Sequence, residues 1–359
     1  MSVMRIRGAV NRLSQNAGKE RKYKSSTIYI CTTYYHLYIA LAKILTSEEI
    51  SDIALTHYIP DHEHVLSNLK KNTLISNVYD IPYIEEYKPK NRLDRILNFH
   101  KMNKISIEQQ LPFDITVYGE IYIFHDDTCF AHYLKEKKIS YYLSEDALDS
   151  FKIIDQTKFS YMIQDRDSIK YFIRKILNYG YFYFSESPCV ISIEVNDTNG
   201  IKIPRNRVIM HSRSELFAKL TKKNYAYIQS IFNGKNIRYS LAGNLKVLIV
   251  TQPLFIDGMV NSMEQQIKIY NKVIKEFQDK KYTVYLKPHP RDDCQYSKCL
   301  EQKNIFNKNI PLEILGIDEK FKFDIAISIN STALHSTQIA RNIVLLGLEY
   351  IDKEKCERK

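Results

Sequence analysis

Strand-like and helix-like stretches alternate along most of this chain, and no other feature restricts its fold as strongly. TIYICTT (Thr27–Thr33) has the continuous apolar character of a buried strand, and YYHLYIALAKIL follows with a helical apolar stripe. DIALTHYI from Asp52 is a second strand, HVLSNLKKNTLI after it is helical, and NVYDIPYI from Asn77 is a third strand. NRLDRILNFHKMNKISIEQQL from Asn91 is a long amphipathic helix, and EIYIF, DDTCFAHYLKEKK and ISYYLSED add strand, helix and strand. This is the rhythm of a parallel, doubly wound α/β sheet. It fades over residues 150–240 and resumes with the strand NLKVLIVTQP, the helix MEQQIKIYNKVIKEFQ and the strand KYTVYL. FDIAISIN (Phe323–Asn330), a helix over STALHSTQIARN and a strand IVLLGL complete the second run. We therefore expect a basic arm over 1–25, one doubly wound domain over 26–240 and another over 241–359, facing each other across a cleft.

The 359 residues, 44% of them hydrophobic, suffice for two cores. A net charge of +11 favours a polyanionic partner, and seven Lys and Arg between Arg5 and Lys24 face one acid, Glu20. No uninterrupted apolar run follows those charges, so they do not read as a signal peptide. Thr32, Thr33, His36 and Lys43 interrupt the apolar run Ser26–Leu45, a poor membrane span. The expected location is the cytoplasm, with peripheral contact at an anionic inner membrane face. SIKYFIRKILNYGYFYF from Ser168, aromatic and basic, reads either as a helix packing one side inward or as an acceptor or membrane contact. Six scattered cysteines form no CxxC pair and read as reduced thiols. HDDT (His125–Thr128) and PDHEH (Pro60–His64) lack a recognised metal-ligand spacing; capping accounts for Asp126 and Asp127, and no metal is expected. There is no GxGxxG or P-loop, and the positive charge forms no nucleic-acid motif.

In open α/β sheets ligands bind beyond the carboxyl ends of the strands, and four polar clusters fall there. In LSEDALDSF, Glu145 and Asp146 can orient a hydroxyl, act as a base or cap a helix. In TQPLFIDGMVNS, Gln252 ends a strand and Asp257-Gly258 marks a turn, which by itself accounts for Asp257, although a base there would also be useful. In YTVYLKPHPRDD, Pro288 and Pro290 hold Lys287 and His289 extended, mounting an imidazole at a strand end. His289 can donate to a phosphate, Lys287 and Arg291 add attraction for an anion, and the acids of RDD read as solvated loop. In ISINSTALHS, Ser331 and Thr332 open a helix whose free N–H groups suit a phosphate. Glu313 can accept from a ribose diol. Together these describe a nucleotide-sugar transferase better than a phosphatase or kinase.

SED, TQP with Asp257-Gly258, KPHPR and the Ser-Thr pair of NSTALHS occur in an order that resembles the bacterial sialyltransferases of glycosyltransferase family 52, which act on lipooligosaccharide and capsule. ICTTYYHLYIALAKIL, with Thr33, is similar to that family's first strand, turn and helix, and the resemblance runs from about residue 26 onward. It implies a GT-B fold of two Rossmann-like domains, CMP-sialic acid as donor, a terminal galactose of a surface glycan as acceptor, and inversion with neither cofactor nor metal. It implies Asp257 as general base, His289 at the departing CMP phosphate, Ser331 and Thr332 as the phosphate-binding pair and Glu313 at the ribose. It also implies a chain that can dimerise. The family pattern has glycine after the acidic pair, where this chain has Ala147. Rival readings are a GT-B transferase with another donor, such as a hexosyltransferase or CDP-glycerol-type polymerase, and a silent glycan- or membrane-binding homologue.

Overall fold

The computed structural model describes residues 26–56, 59, 61–82, 87–126, 128–147, 150–151, 187–201, 207–232, 241–312, 315, 322–331, 334 and 339–351. The basic arm, the aromatic segment from Ser168, Asp127, Glu313 and Thr332 lie outside them, as does the first part, 238–240, of the domain boundary expected near 238–244.

The chain opens with β1 (Thr27–Cys31), α1 (Tyr34–Ser47), β2 (Ser51–Thr56), α2 (His62–Leu69) and β3 (Ile75–Ile81). Then come α3 (Arg92–Gln110), β4 (Glu120–Ile123), α4 (Cys129–Glu136) and β5 (Tyr141–Ser144). The stretch read as irregular contributes β6 (Val190–Val195), β7 (Val208–Met210), α5 (Arg213–Ala218) and α6 (Lys222–Phe232). All these strands pair in parallel, in the order β3-β2-β1-β4-β5-β6-β7. The second unit holds β8 (Lys246–Val250), α7 (Met263–Asp279), β9 (Thr283–Lys287), β10 (Phe323–Ser328) and β11 (Ala340–Leu345). Its parallel order is β11-β10-β8-β9. The expected pair of doubly wound sheets is therefore present. Among the limits that differ, Ile75 begins β3 instead of ending a helix, and Ala340–Asn342 belong to β11 instead of the helix expected over 331–342.

Strands covered by helices on both faces need apolar residues on both, and β1 is buried throughout. Its alternation divides it between two cores: Ile28 and Ile30 pack with Ile121, Ile123 and Leu143, whereas Tyr29 and Cys31 pack with Leu37, Tyr38 and Leu41 of α1. In β8, Val247 and Ile249 join Val284, Leu286 and Ile327, whereas Leu248 and Val250 belong to the same cluster as Tyr29 and Cys31.

The strand order reverses between β1 and β4 in one sheet and between β8 and β10 in the other. Those switch points leave a crevice at the carboxyl ends, where the candidate residues fall.

Candidate active site

At the second switch point Gln252 bridges the ends of β8 and β10. Its Nε2 donates to Asn330 O and its Oε1 accepts from Asn330 N, both over 2.8 Å. This fixes the amide orientation, because a backbone N–H can only donate and a carbonyl only accept. The Gln252 side chain thus fastens the strand ends beside Ser331, which is half-buried.

His289 follows β9 at the neighbouring strand end. Its backbone N–H donates to Thr251 Oγ1 over 3.1 Å, and the N–H of Arg291 donates to its Nδ1 over 3.1 Å. Nδ1 therefore accepts, and the neutral ring carries its hydrogen on Nε2, which has no hydrogen-bond partner among the described residues. Burial, reinforced by the charges of Arg291 and Lys287, pushes its pKa down to about 4, so the ring is neutral near pH 7.

Asp292 is not solvated, as its loop position suggested; it is 3% exposed. Its Oδ2 accepts from Thr251 Oγ1 over 2.5 Å and from the Tyr296 hydroxyl over 2.9 Å, and its Oδ1 accepts from Cys294 N. Asp292 is thus the anchor beneath His289: it fixes the hydroxyl that receives the His289 N–H. Lys287 is also buried, and its Nζ donates to the carbonyls of Pro288 and Lys308 over 2.8 and 2.9 Å. Its ammonium therefore ties the turn together. Arg291 Nη1 pairs with Asp257 Oδ1 over 3.0 Å. Asp257 lies in the expected turn, closed by hydrogen bonds from Asp257 N to Pro253 O and from Gly258 N to Phe255 O, with Gly258 at φ +70°.

At the first switch point the acidic pair divides its work. Glu145 is fully buried and accepts from Asn196 N over 2.9 Å, tying β5 to the end of β6. Asp146 keeps a side chain 45% exposed, and its Oδ1 meets His36 Nε2 at 2.8 Å and His125 Nε2 at 3.0 Å. Burial alone would raise its pKa, but hydrogen bonds from His125 and His36 outweigh that and hold it well below the usual carboxylate range. The ligand-type atoms of His36, His125 and Asp146 all lie within 4.8 Å of one another, a cluster that sequence spacing does not reveal. Thr32 N donates to His36 Nδ1, which leaves the hydrogen of the neutral ring on Nε2, facing Asp146. Thr33 caps α1, its hydroxyl accepting from His36 N. Asp126, expected as a cap, is buried, and Thr128 caps α4 instead.

Below the acidic pair, Lys43 Nζ donates to both oxygens of Glu194 over 2.7 Å, and Ser144 Oγ donates to Glu194 Oε2 over 2.7 Å. Burial opposes ionisation of Glu194, but contacts from His211, Lys43 and Ser144 hold it charged, with a pKa well below the usual range. Sequence reading missed His36, His125 and Asp292; the only local signal was a polar residue at or near a strand end.

The family model for glycosyltransferase family 52 matches residues 70–345. An uncharacterised protein of Haemophilus influenzae is 34% identical over 89 residues, which are 25% of this chain and 28% of that protein, so the chain matches little more than a quarter of that relative's length. Among solved structures, the α/β-galactoside α-2,3-sialyltransferase of the luminous marine bacterium Photobacterium phosphoreum aligns over 89% of this chain and 91% of its own. Its TM-score is 0.51 at 13% identity, a likeness of fold: the GT-B arrangement of two Rossmann-like units. The UDP-GlcNAc 2-epimerase of Methanocaldococcus jannaschii aligns over 92% of this chain and 91% of its own at 11% identity, with a TM-score of 0.43.

Proposed function

Because the chain belongs to glycosyltransferase family 52, we propose that it is an inverting, metal-independent sialyltransferase. It moves sialic acid from CMP-sialic acid to a terminal galactose of a bacterial surface glycan. The observation that carries this reading is the state of His289, a neutral imidazole held at a strand end with Nε2–H as its remaining donor. CMP departs as a phosphate anion, and a donor fixed in advance at that anion stabilises the transition state without reorganising. Ser331, beyond the end of β10 with β8 between it and the His289 strand, joins the proposal with Thr332 and Glu313 through the family pattern.

The acceptor hydroxyl must lose a proton. Asp257 has the place that the family resemblance gives the base, and its Oδ1 is paired with Arg291 Nη1. Asp146 is the second reading, favoured by two imidazoles that hold Oδ1 and leave Oδ2 for an acceptor. No helix among the described residues is long and apolar enough to cross a membrane. Peripheral contact with an anionic membrane through the basic arm is part of the proposal.

The test is CMP release from CMP-sialic acid with a β-galactoside acceptor, with EDTA present. We expect turnover, a loss of at least about 100-fold in His289→Ala, and a comparable loss in whichever of Asp257→Asn and Asp146→Asn removes the base. Stabilisation of the protein by UDP and not by CMP or CDP would overturn the donor assignment, and normal turnover in all three variants would overturn the site.

A further inference from the structure

We propose that His36 is a positioning residue that holds the Asp146 carboxylate against the acceptor hydroxyl; the acceptor role rests on the second reading above, in which Asp146 is the base of the transferase. His36 is fully buried in the first turn of α1. Its ring stacks on Phe124 with centroids 4.2 Å apart and planes 4° from parallel. Thr32 closes the Nδ1 side, with its N–H at 3.2 Å and its hydroxyl at 2.8 Å. Rotation and tautomer are both fixed by these contacts, so Nε2–H points at Asp146 Oδ1 over 2.8 Å. His125 meets the His36 ring edge-on at 5.0 Å and places its own Nε2 on the same oxygen.

The simpler account is that Asp146 is there to satisfy a buried histidine. Two observations weigh against it. The main-chain carbonyl of Asp146 already lies 3.1 Å from Nε2, so the imidazole has an acceptor without the carboxylate. The carboxylate remains 45% exposed, a poor arrangement for a purely internal partner. With Oδ1 occupied by two imidazoles, Oδ2 is the oxygen presented to a ligand. The ligand chemistry that fits is a hydroxyl, which donates to a carboxylate, and not an anion. Burial lowers the His36 pKa, in keeping with a neutral donor, and the groups facing it are Asp146, His125 and Thr32. Displacing a reacting carboxylate by about 1 Å can cost about 100-fold in rate, which sets the scale of the role.

Two measurements on the full chain test this. The first needs no substrate: long-range nitrogen–proton NMR correlations of the His36 ring in the wild type and in Asp146→Ala. A proton on Nε2 with Nδ1 bare near pH 7, and an Nε2 proton shift that moves in Asp146→Ala, are expected. A proton on Nδ1, or no response to Asp146→Ala, would overturn the proposal. The second compares transfer in His36→Leu and His36→Gln. A fall of about 100-fold in His36→Leu with unchanged CMP affinity is expected, with recovery of at least about tenfold in His36→Gln, whose amide can still donate. Wild-type transfer in a folded His36→Leu would also overturn it. If the wild type transfers no sialic acid, the functional reading fails, while the NMR result still decides whether His36 holds Asp146.

Discussion

Arg291 N–H donates to Nδ1 of His289 over 3.1 Å, so the residue two positions along sets which nitrogen of the imidazole carries the hydrogen. The KPHPR stretch is thus more than a rigid turn. Its prolines hold the backbone extended, its lysine ties two carbonyls together, and its arginine serves twice, by its N–H to His289 and by its guanidinium to Asp257.

If CMP binds at His289 as proposed, this arrangement makes its binding pH-dependent. The His289 pKa is pushed down to about 4 because burial and two cations oppose its charge. A bound phosphate adds an opposite charge and raises that value, so binding takes up a proton between the free and bound pKa values. CMP affinity should therefore rise as pH falls through the bound pKa toward 4. Calorimetry in buffers of different ionisation enthalpy would measure the uptake, and His289→Gln should abolish it. Affinity independent of pH in the wild type would show that the imidazole does not meet the phosphate.

The same depressed pKa carries a stability consequence. The folded value lies below the unfolded value of about 6.5, so the unfolded chain binds the extra proton in between. The contribution of His289 to stability is full above about pH 6.5 and is lost as pH falls through that window toward 4. Urea midpoints across that range should fall less steeply in His289→Gln than in the wild type, and identical slopes would contradict it.

Asp292 supports three donors: the hydroxyls of Thr251 and Tyr296 and the N–H of Cys294. Asp292→Ala strands them in a buried pocket and should destabilise the protein by about 3 kcal/mol in urea unfolding. Asp292→Asn, which keeps a carbonyl oxygen, should be milder. A loss under about 0.5 kcal/mol in Asp292→Ala would mean that the network is not formed.

How far such features can be read from sequence depends on how local they are. The alternation of apolar strands and amphipathic helices shows in any short window, so both sheets were legible, and the clusters at strand ends followed from the rule for parallel sheets. VISIEV at Val190–Val195 carries an alternating pattern too, but it stands far from its neighbours in the rhythm, so the pattern alone does not assign it to the sheet. STALHSTQIARN has helical spacing, yet its last three residues pair with β10, because tertiary pairing outweighs propensity in a short segment. The contact of His36 with Asp146 spans 110 positions, and the bond of Thr251 to Asp292 spans 41. Nothing in either local stretch announces such a partner, so His36 read as an interruption and Asp292 as loop.

Lys43 and Glu194 form a buried ion pair between α1 and β6, with side chains 10% and 11% exposed and the ammonium 3.9 Å from the Tyr122 ring centre. Removing one partner leaves the other charge uncompensated. Lys43→Met and Glu194→Met should each cost about 3–5 kcal/mol in chemical denaturation, and the double variant clearly less than their sum. Additive losses would mean that the two charges do not support each other.

Ala147 stands where the family pattern has glycine, which raises the question of whether that backbone needs a left-handed turn. The described non-glycine residues with positive φ are Glu48, Asp61, Lys138 and Lys281, and Ala147 is not among them. An alanine there meets no conformational penalty, and its carbonyl accepts from Ser150 N over 3.0 Å. Ala147→Gly should therefore give no relief of strain. It should lower stability by about 0.4–1 kcal/mol, because glycine adds freedom to the unfolded chain, and leave transfer within about twofold of the wild type. Both follow from one preparation, by urea unfolding and by CMP release. A tenfold gain in transfer would mean that the loop passes through a left-handed turn during catalysis, and that the orientation of Asp146 described above is not the one in which it works.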